Sequence, residues 1–375
     1  MKTQAIKGRR GRLASLVLGI LSVLLIFPIS PPLHAAAPAG SISVTAYGAV
    51  GNGKKDSLKA FEKALSAAKK QGKSVYIPAG NFLLSERLSI NGVKVKGAGA
   101  DRSVLTSTNP ESGSIDLKGK SAGLQDLTHV YRKTGKRDGS DSKNSVTVLG
   151  ASDFSITNIR IIGAGTAGIL VRDGANGVIS GNLVKSTKAD GIHITEGSRQ
   201  ITVENNIVKQ TGDDAIAVVS YNKDPGTTSG ITIRGNSVGY GSKARGISVV
   251  GGSDVTIEKN KISNTEMAGI YVAVESRWDT RSVNDIKVSR NTVVKSGTRP
   301  TDDHPNILVF ADTGKIDEVR FSNNVISNSV NAGIGVWGDG DIGNIYFTSN
   351  QVSNSGEGAA TFKKGNIHKE GNSGF

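Results

Sequence analysis

Cysteine is absent from the 375 residues, which excludes disulfides and thiolate metal sites and leaves stability to apolar burial. Aromatic residues make up only 5%. The repeated part of the chain has few clustered Lys or Arg interleaved with them, so no nucleic-acid partner is expected. Long hydrophobic runs are missing too. The apolar stretch Ala14–Phe27 is shorter than the roughly 20 residues of a spanning helix, and Pro28 ends it. It lies between a basic start (Lys2, Lys7, Arg9, Arg10, Arg12) and the small residues Ala35, Ala36 and Ala37. That order is the grammar of a secretory signal peptide. Residues 1–36 are therefore expected to be a cleaved leader. The mature protein is expected to be secreted, extracellular or wall-associated, and off the membrane after cleavage.

Positive charge is in excess. The formal net charge is +14, and removing the leader's five basic residues leaves +9. Such a surface attracts polyanions, among them acidic polysaccharides and cell walls. About 340 residues remain, ample for one long core, and residues 37–375 read as a single domain and a monomer.

What the chain does have is Gly, 48 residues of it, with Asn, Val, Ile and Thr in short alternating runs. This is the vocabulary of strands and tight turns. Asn recurs at Asn158, Asn182, Asn206, Asn236, Asn260, Asn291, Asn324 and Asn350, with a base interval of 24 residues and occasional insertions. A fixed period with corner insertions is the mark of a solenoid. The expected fold is all-β, a right-handed parallel β-helix with a short N-terminal capping helix. The helix is placed at about Asp56 to Lys70, where Leu58, Phe61, Leu65 and Ala68 share a face. The cap covers about 41–90 and the coils about 91–362.

Stacked coils would bury Ile169, Ile192, Ile216, Ile247, Ile270, Ile307 and Ile334 in one column, with a second column two residues on. The recurrent Asn residues are read as a structural ladder, accepting left-handed turn geometry and bonding their copies in the next coil. Tyr131 to Asn144 is polar and aperiodic and reads as a long loop. Lys363 to Phe375 loses the pattern and reads as a frayed tail.

The repeat then serves as a ruler. Just before the shared Gly or Ala of each coil stand Ala167, Asp190, Asp214, Arg245, Ala268, Pro305 and Ala332. Equivalent positions stack at about 4.8 Å, so Asp190, Asp214 and Arg245 form a charged column with Asp213 beside it. Asp before Gly is common in turns, but a stacked like-charge pair raises one pKa and is seldom kept without work to do. Asp190, Asp213 and Asp214 are therefore the candidate catalytic residues. An outward column of Leu170, His193, Ala217, Ser248, Tyr271 and Leu308 lies alongside. His193, Arg245 and Tyr271, with Arg277 and Trp278 in the following loop, are the candidate substrate-binding residues, Trp278 as a platform for a sugar ring. Asp302, Asp303 and His304 sit in a Pro-flanked loop and read as solvated rather than metal-binding; no metal site is assigned.

The segment from Val44 to Leu84 resembles the opening of the pectate-lyase superfamily β-helix, with Ser57 where a second Asp is usual. Ala189–Thr195 and Thr211–Val218 resemble the aspartate motifs of β-helical glycoside hydrolases, especially the bacterial α-1,3-glucanase/mycodextranase type and, more distantly, polygalacturonases. The resemblance implies that a lone Asp and an Asp pair one coil later supply acid and base for inverting hydrolysis, here Asp190, Asp213 and Asp214. Polygalacturonases place His-Gly where this chain has Arg245-Gly246, and an Arg-x-Lys strand where it has Tyr271 and Ala273. A polygalacturonate substrate loses support accordingly.

Three functions stand. The first is inverting hydrolysis of a polysaccharide without a cofactor, in which the paired carboxyls should lie about 6.5–9.5 Å apart and Asp190 with Asp213 is the better-spaced pair. The second is a Ca²⁺-dependent polysaccharide lyase or uronate epimerase, with the Asp residues as oxygen ligands. The third is a non-catalytic polysaccharide- or wall-binding β-helix.

Overall fold

The computed structural model describes residues 37–375, and the expected leader lies outside the described residues. The repeat folds as anticipated, into a right-handed parallel β-helix. Each regular coil makes three strands. One coil runs through Leu183–Thr187 on face I, Ile192–Thr195 on face II and Arg199–Glu204 on face III. The next repeats the path through Ile207–Lys209, Ile216–Val219 and Ser229–Arg234. The three faces pair in parallel and in register, Val184 with Val208, Ile192 with Ile216 and Ile201 with Ile231. A strand period of 2 then sends the same positions inward in every coil. The column from Ile169 to Ile334 and its companion (Val171, Ile194, Val218, Val249, Val272, Val309, Val336) are fully buried.

The helix spans Leu58–Gln71 and ends on Gly72, whose left-handed backbone (φ 61°) donates to the carbonyls of Ala68 and Lys69. Leu58, Phe61, Leu65 and Ala68 are buried as expected. Phe61 meets Phe82 edge-on at 5.7 Å, so the helix closes the N-terminal end of the core. Among the described residues no helix is long and apolar enough to cross a membrane.

The Asn ladder exists, with two corrections. It runs through Asn182, Asn206, Asn236, Asn260, Asn291, Asn324, Asn350 and on to Asn372, each Oδ1 accepting the backbone N–H and the side-chain Nδ2 of the preceding copy at 2.9–3.0 Å. Asn158 does not belong to it. Ile159 donates to Asn182 Oδ1 in its place, and Asn158 instead bonds Asp126 at the surface. Left-handed geometry also falls one position earlier, on residues such as Gly181, Asn205, Gly235 and Lys259. The ladder Asn residues are left free to face inward, where Asn182 to Asn350 are buried and the terminal Asn372 is half-buried.

The C-terminal tail is corrected too. Ala360–Phe362 and Asn366–Glu370 pair with Ile334–Trp337 and Asn344–Thr348, so the last residues complete a coil instead of fraying. Inserted loops had blurred the period there.

Removing one ladder amide leaves buried donors and acceptors of two neighbouring coils without partners, at a cost of about 1–3 kcal/mol. Asn206→Ala should lower the urea midpoint by that equivalent, whereas Asn158→Ala should stay within about 0.5 kcal/mol of wild type.

Candidate active site

The turn from face I to face II places the charged column. Gly191 opens its face II strand, and a Cβ there would lie 2.6 Å from the Ala215 carbonyl and closer still to Val208. Coils therefore pack tightly at this corner, and the residue before it is held against its copies. Gly191 N–H donates to the Asp214 carbonyl, and Ala215 N–H to the Arg245 carbonyl, both at 2.9 Å. Asp190, Asp214 and Arg245 thus stack as the period required.

The carboxylates extend this stack. Asp190 Oδ1 accepts from the Asp214 backbone N–H at 3.0 Å, and Asp214 Oδ1 from the Arg245 N–H at 2.8 Å. Asp190 Oδ2 lies 2.7 Å from His193 Nδ1, and Asp214 Oδ2 accepts from Ser248 Oγ at 2.6 Å. Asp213 meets Arg137 Nη2 at 2.5 Å. Each of the three Asp residues offers an oxygen within 4.8 Å of the others, and they are the one such convergent cluster among the described residues. That separation is tighter than the roughly 6.5–9.5 Å expected of an inverting pair.

Electrostatics separate the members. Burial, opposed by Arg245 and reinforced by Asp213 and Asp190, pushes the Asp214 carboxyl up to about 6. Burial alone would lower the His193 imidazole, but its hydrogen bond to Asp190 and the charges of all three carboxylates carry it above its ordinary value. The charge of Asp214, with those of Glu275 and Asp213, outweighs burial to raise the Arg245 guanidinium further.

Asp190, His193, Asp213, Asp214, Arg245 and Trp278 all line one cleft of about 630 Å³. Trp278 is 56% exposed at its edge. Two candidates fall elsewhere. Tyr271, expected on the outer surface, is buried, because the outward side of face II is roofed by loops and packs a second apolar cluster with Ala217, Val250 and Leu308. Its hydroxyl donates to Glu275 Oε1 at 2.9 Å, and its ring carries the Arg245 guanidinium at 4.5 Å. Tyr271 therefore fixes Arg245 from below. Arg277 is exposed and lies over the Trp278 ring at 5.2 Å, outside the cleft lining.

Sequence reasoning missed three participants. Glu275 pairs with Arg245 Nη2 at 2.9 Å. Ser248 was in the aligned column but carried no charge to single it out. Arg137 arrives on the aperiodic loop Tyr131–Asn144, which straps across three coils. The strap is tied down by Tyr131 Oη on the Asn144 carbonyl, Lys143 on Asp138 and Lys188 Nζ on the Gly135 carbonyl. No periodic signal could have found it.

A histidine whose folded-state pKa is raised stabilises fully below its unfolded value near 6.5 and loses that contribution as pH rises through the folded value. NMR titration of His193 should give a midpoint above 6.5. In Asp190→Asn the partner charge is gone while burial remains, and the midpoint should fall below that of wild type.

Residues 41–271 match the family model described as rhamnogalacturonase A/epimerase, pectate lyase-like, and residues 223–352 match a right-handed β-helix region. A pre-neck appendage protein of Bacillus phage B103 is 27% identical over 215 residues, spanning 55% of this chain but only 23% of that protein. Among solved structures, the catalytic unit of a GH87 α-1,3-glucanase from Streptomyces thermodiastaticus superposes with a TM-score of 0.74 at 24% identity, over 92% of this chain and 70% of the other. A mannuronan C-5 epimerase A-module from Azotobacter vinelandii gives 0.60 at 17% identity, over 87% and 99%. At these identities the structural likeness establishes the fold.

Proposed function

Because the chain belongs to the rhamnogalacturonase A/epimerase, pectate-lyase-like family, we propose that it is a carbohydrate-active enzyme that hydrolyses a glycosidic bond of a polysaccharide. The observation that carries this reading is the convergence of three carboxylates within 4.8 Å in an open cleft. Asp214 retains a proton up to about pH 6 and supplies it towards the leaving oxygen. Asp190 and Asp213, facing His193 and Arg137, orient and deprotonate the attacking water. Trp278 offers a ring face for a sugar at the cleft edge.

Inversion is the stereochemistry proposed, although the carboxylates stand closer than the usual inverting pair. Each oxygen of Asp190 keeps a lone pair beside the hydrogen bond it accepts, which can take a proton from water. A metal is not required. Ca²⁺ takes 6–8 oxygen ligands, whereas each carboxylate here has its own partner in His193, Arg137, or Ser248 with Arg245. Lysis or epimerisation of a uronate is the second reading, favoured by Arg137, Arg172 and Lys223 in the cleft wall. The basic start and the small-residue boundary at Ala35–Ala37 support export of the mature chain.

Asp190→Asn and Asp213→Asn should each lower kcat by about 10²–10⁴-fold with thermal melting little changed, as read by release of reducing ends. Full activity in either variant contradicts the assignment. EDTA should leave the wild-type rate unaltered; a rate restored only by Ca²⁺, together with ultraviolet-absorbing product, supports the lyase instead.

A further inference from the structure

A second column of charge runs beside the first. Two positions before Asp190, Asp214 and Arg245 stand Lys188, Gly212 and Lys243. They are structural equivalents, since the Gly212 N–H donates to the Thr187 carbonyl and the Lys243 N–H to the Thr211 carbonyl, each at 2.9 Å. The two lysines are thus two coils apart, about 9.6 Å by strand spacing. Gly212 lies between them, packed so closely that a Cβ would run into the Lys188 carbonyl.

Lys188, Gly212 and Lys243 line a groove of about 650 Å³ together with Arg137, Gln210 and Tyr240. Its charge is opposite to that of the main cleft. No carboxylate lines the groove, while the cleft has seven carboxylates against four Arg and Lys side chains. Arg137 is the shared wall, reaching Asp213 on one side and the Lys188 carbonyl on the other.

Tyr240 is the second, independent sign. Ser186, Gln210, Tyr240 and Asn264 occupy one column of left-handed turn positions, with φ of 60°, 54°, 45° and 54°. Asn suits such a position; a bulky ring is uncommon there. The Tyr240 side chain is nonetheless held out to solvent, 45% exposed, at the groove's rim. An exposed aromatic face beside cations suits a sugar that bears a negative group. Lys243 pairs with Glu266 at the surface, a weak ion pair in water for which a ligand anion competes. Lys188 donates to the neutral Gly135 carbonyl of the strap and keeps its charge uncancelled there.

We propose that this lateral groove is a second carbohydrate subsite, which takes a carboxylate- or sulfate-bearing sugar of the polymer whose scissile bond lies in the carboxylate cleft. The two columns lie side by side across the same coils, so the groove meets the polymer laterally and suits a branch or substituent. The proposal rests on the hydrolase reading for its context, but its test is binding, which needs no turnover.

The experiment measures equilibrium binding of the intact protein to xanthan (acidic branches), polygalacturonate (backbone carboxylates) and the neutral dextran and pullulan. The variants are Lys188→Ala/Lys243→Ala, Tyr240→Ala and, as a charge-matched control on the exposed helix face, Lys63→Ala/Lys69→Ala, with melting curves to verify folding. Wild type should bind the anionic polymers roughly tenfold more tightly than the neutral ones, with the difference shrinking as salt is raised. The double variant and Tyr240→Ala should lose that preference, and the control should keep it. Tighter binding of xanthan places the anion on a branch; tighter binding of polygalacturonate places it on the backbone. Equal binding of all polymers, no binding to either anionic one, or a preference that survives in the double variant overturns the subsite. If the preference behaves as expected while Asp190→Asn or Asp213→Asn keeps full activity, the subsite stands and the hydrolase reading falls.

Discussion

Parallel hydrogen bonding of each coil to the next, at about 4.8 Å, is the constraint on which the rest depends. It converts a linear period into columns, so any residue type repeated in consecutive coils becomes a continuous physical feature. Apolar columns become the core and Asn becomes a buried ladder. Asp190, Asp214 and Arg245 become a charge stack in which each carboxylate accepts from the backbone of the next coil. The same geometry makes the charged column costly. Burial of Asp214, opposed by Arg245 and reinforced by repulsion from Asp213 and Asp190, raises its pKa.

The compensation for that cost organises the surroundings. His193 comes from the strand that the turn of Asp190 leads into, Ser248 from the strand that follows Arg245, and Arg137 from a strap three coils away. Arg245 is itself clamped by Glu275 and by the Tyr271 ring. Within the cleft each carboxylate is thus matched by an imidazole, a guanidinium or a hydroxyl. Beside it, the groove of Lys188 and Lys243 carries the opposite charge.

Legibility in the sequence followed periodicity closely. The core columns, the helical cap and the stack of Asp190, Asp214 and Arg245 could be counted off because each depends only on register. Errors arose where register slipped or where something covered the repeat. Asn158 was placed in the ladder, but its coil puts Ile159 at the ladder position. Tyr271 was aligned correctly yet misjudged as exposed, because outward does not mean solvent-facing once loops roof the strand. The last residues were read as frayed because insertions hid a coil that the strand pairing completes. Arg137 was invisible for a different reason. Its loop carries no pattern, and only three-dimensional closure brings it to Asp213.

The central claim is that this register-built trio acts as acid and base on a glycosidic bond. The most direct test is proton NMR of a polysaccharide digest followed from its first minutes. The account predicts new reducing-end anomeric signals whose initial configuration is opposite to that of the bond cleaved. Signals of an unsaturated, newly formed double-bonded end in their place, or reducing ends with retained configuration, would contradict it.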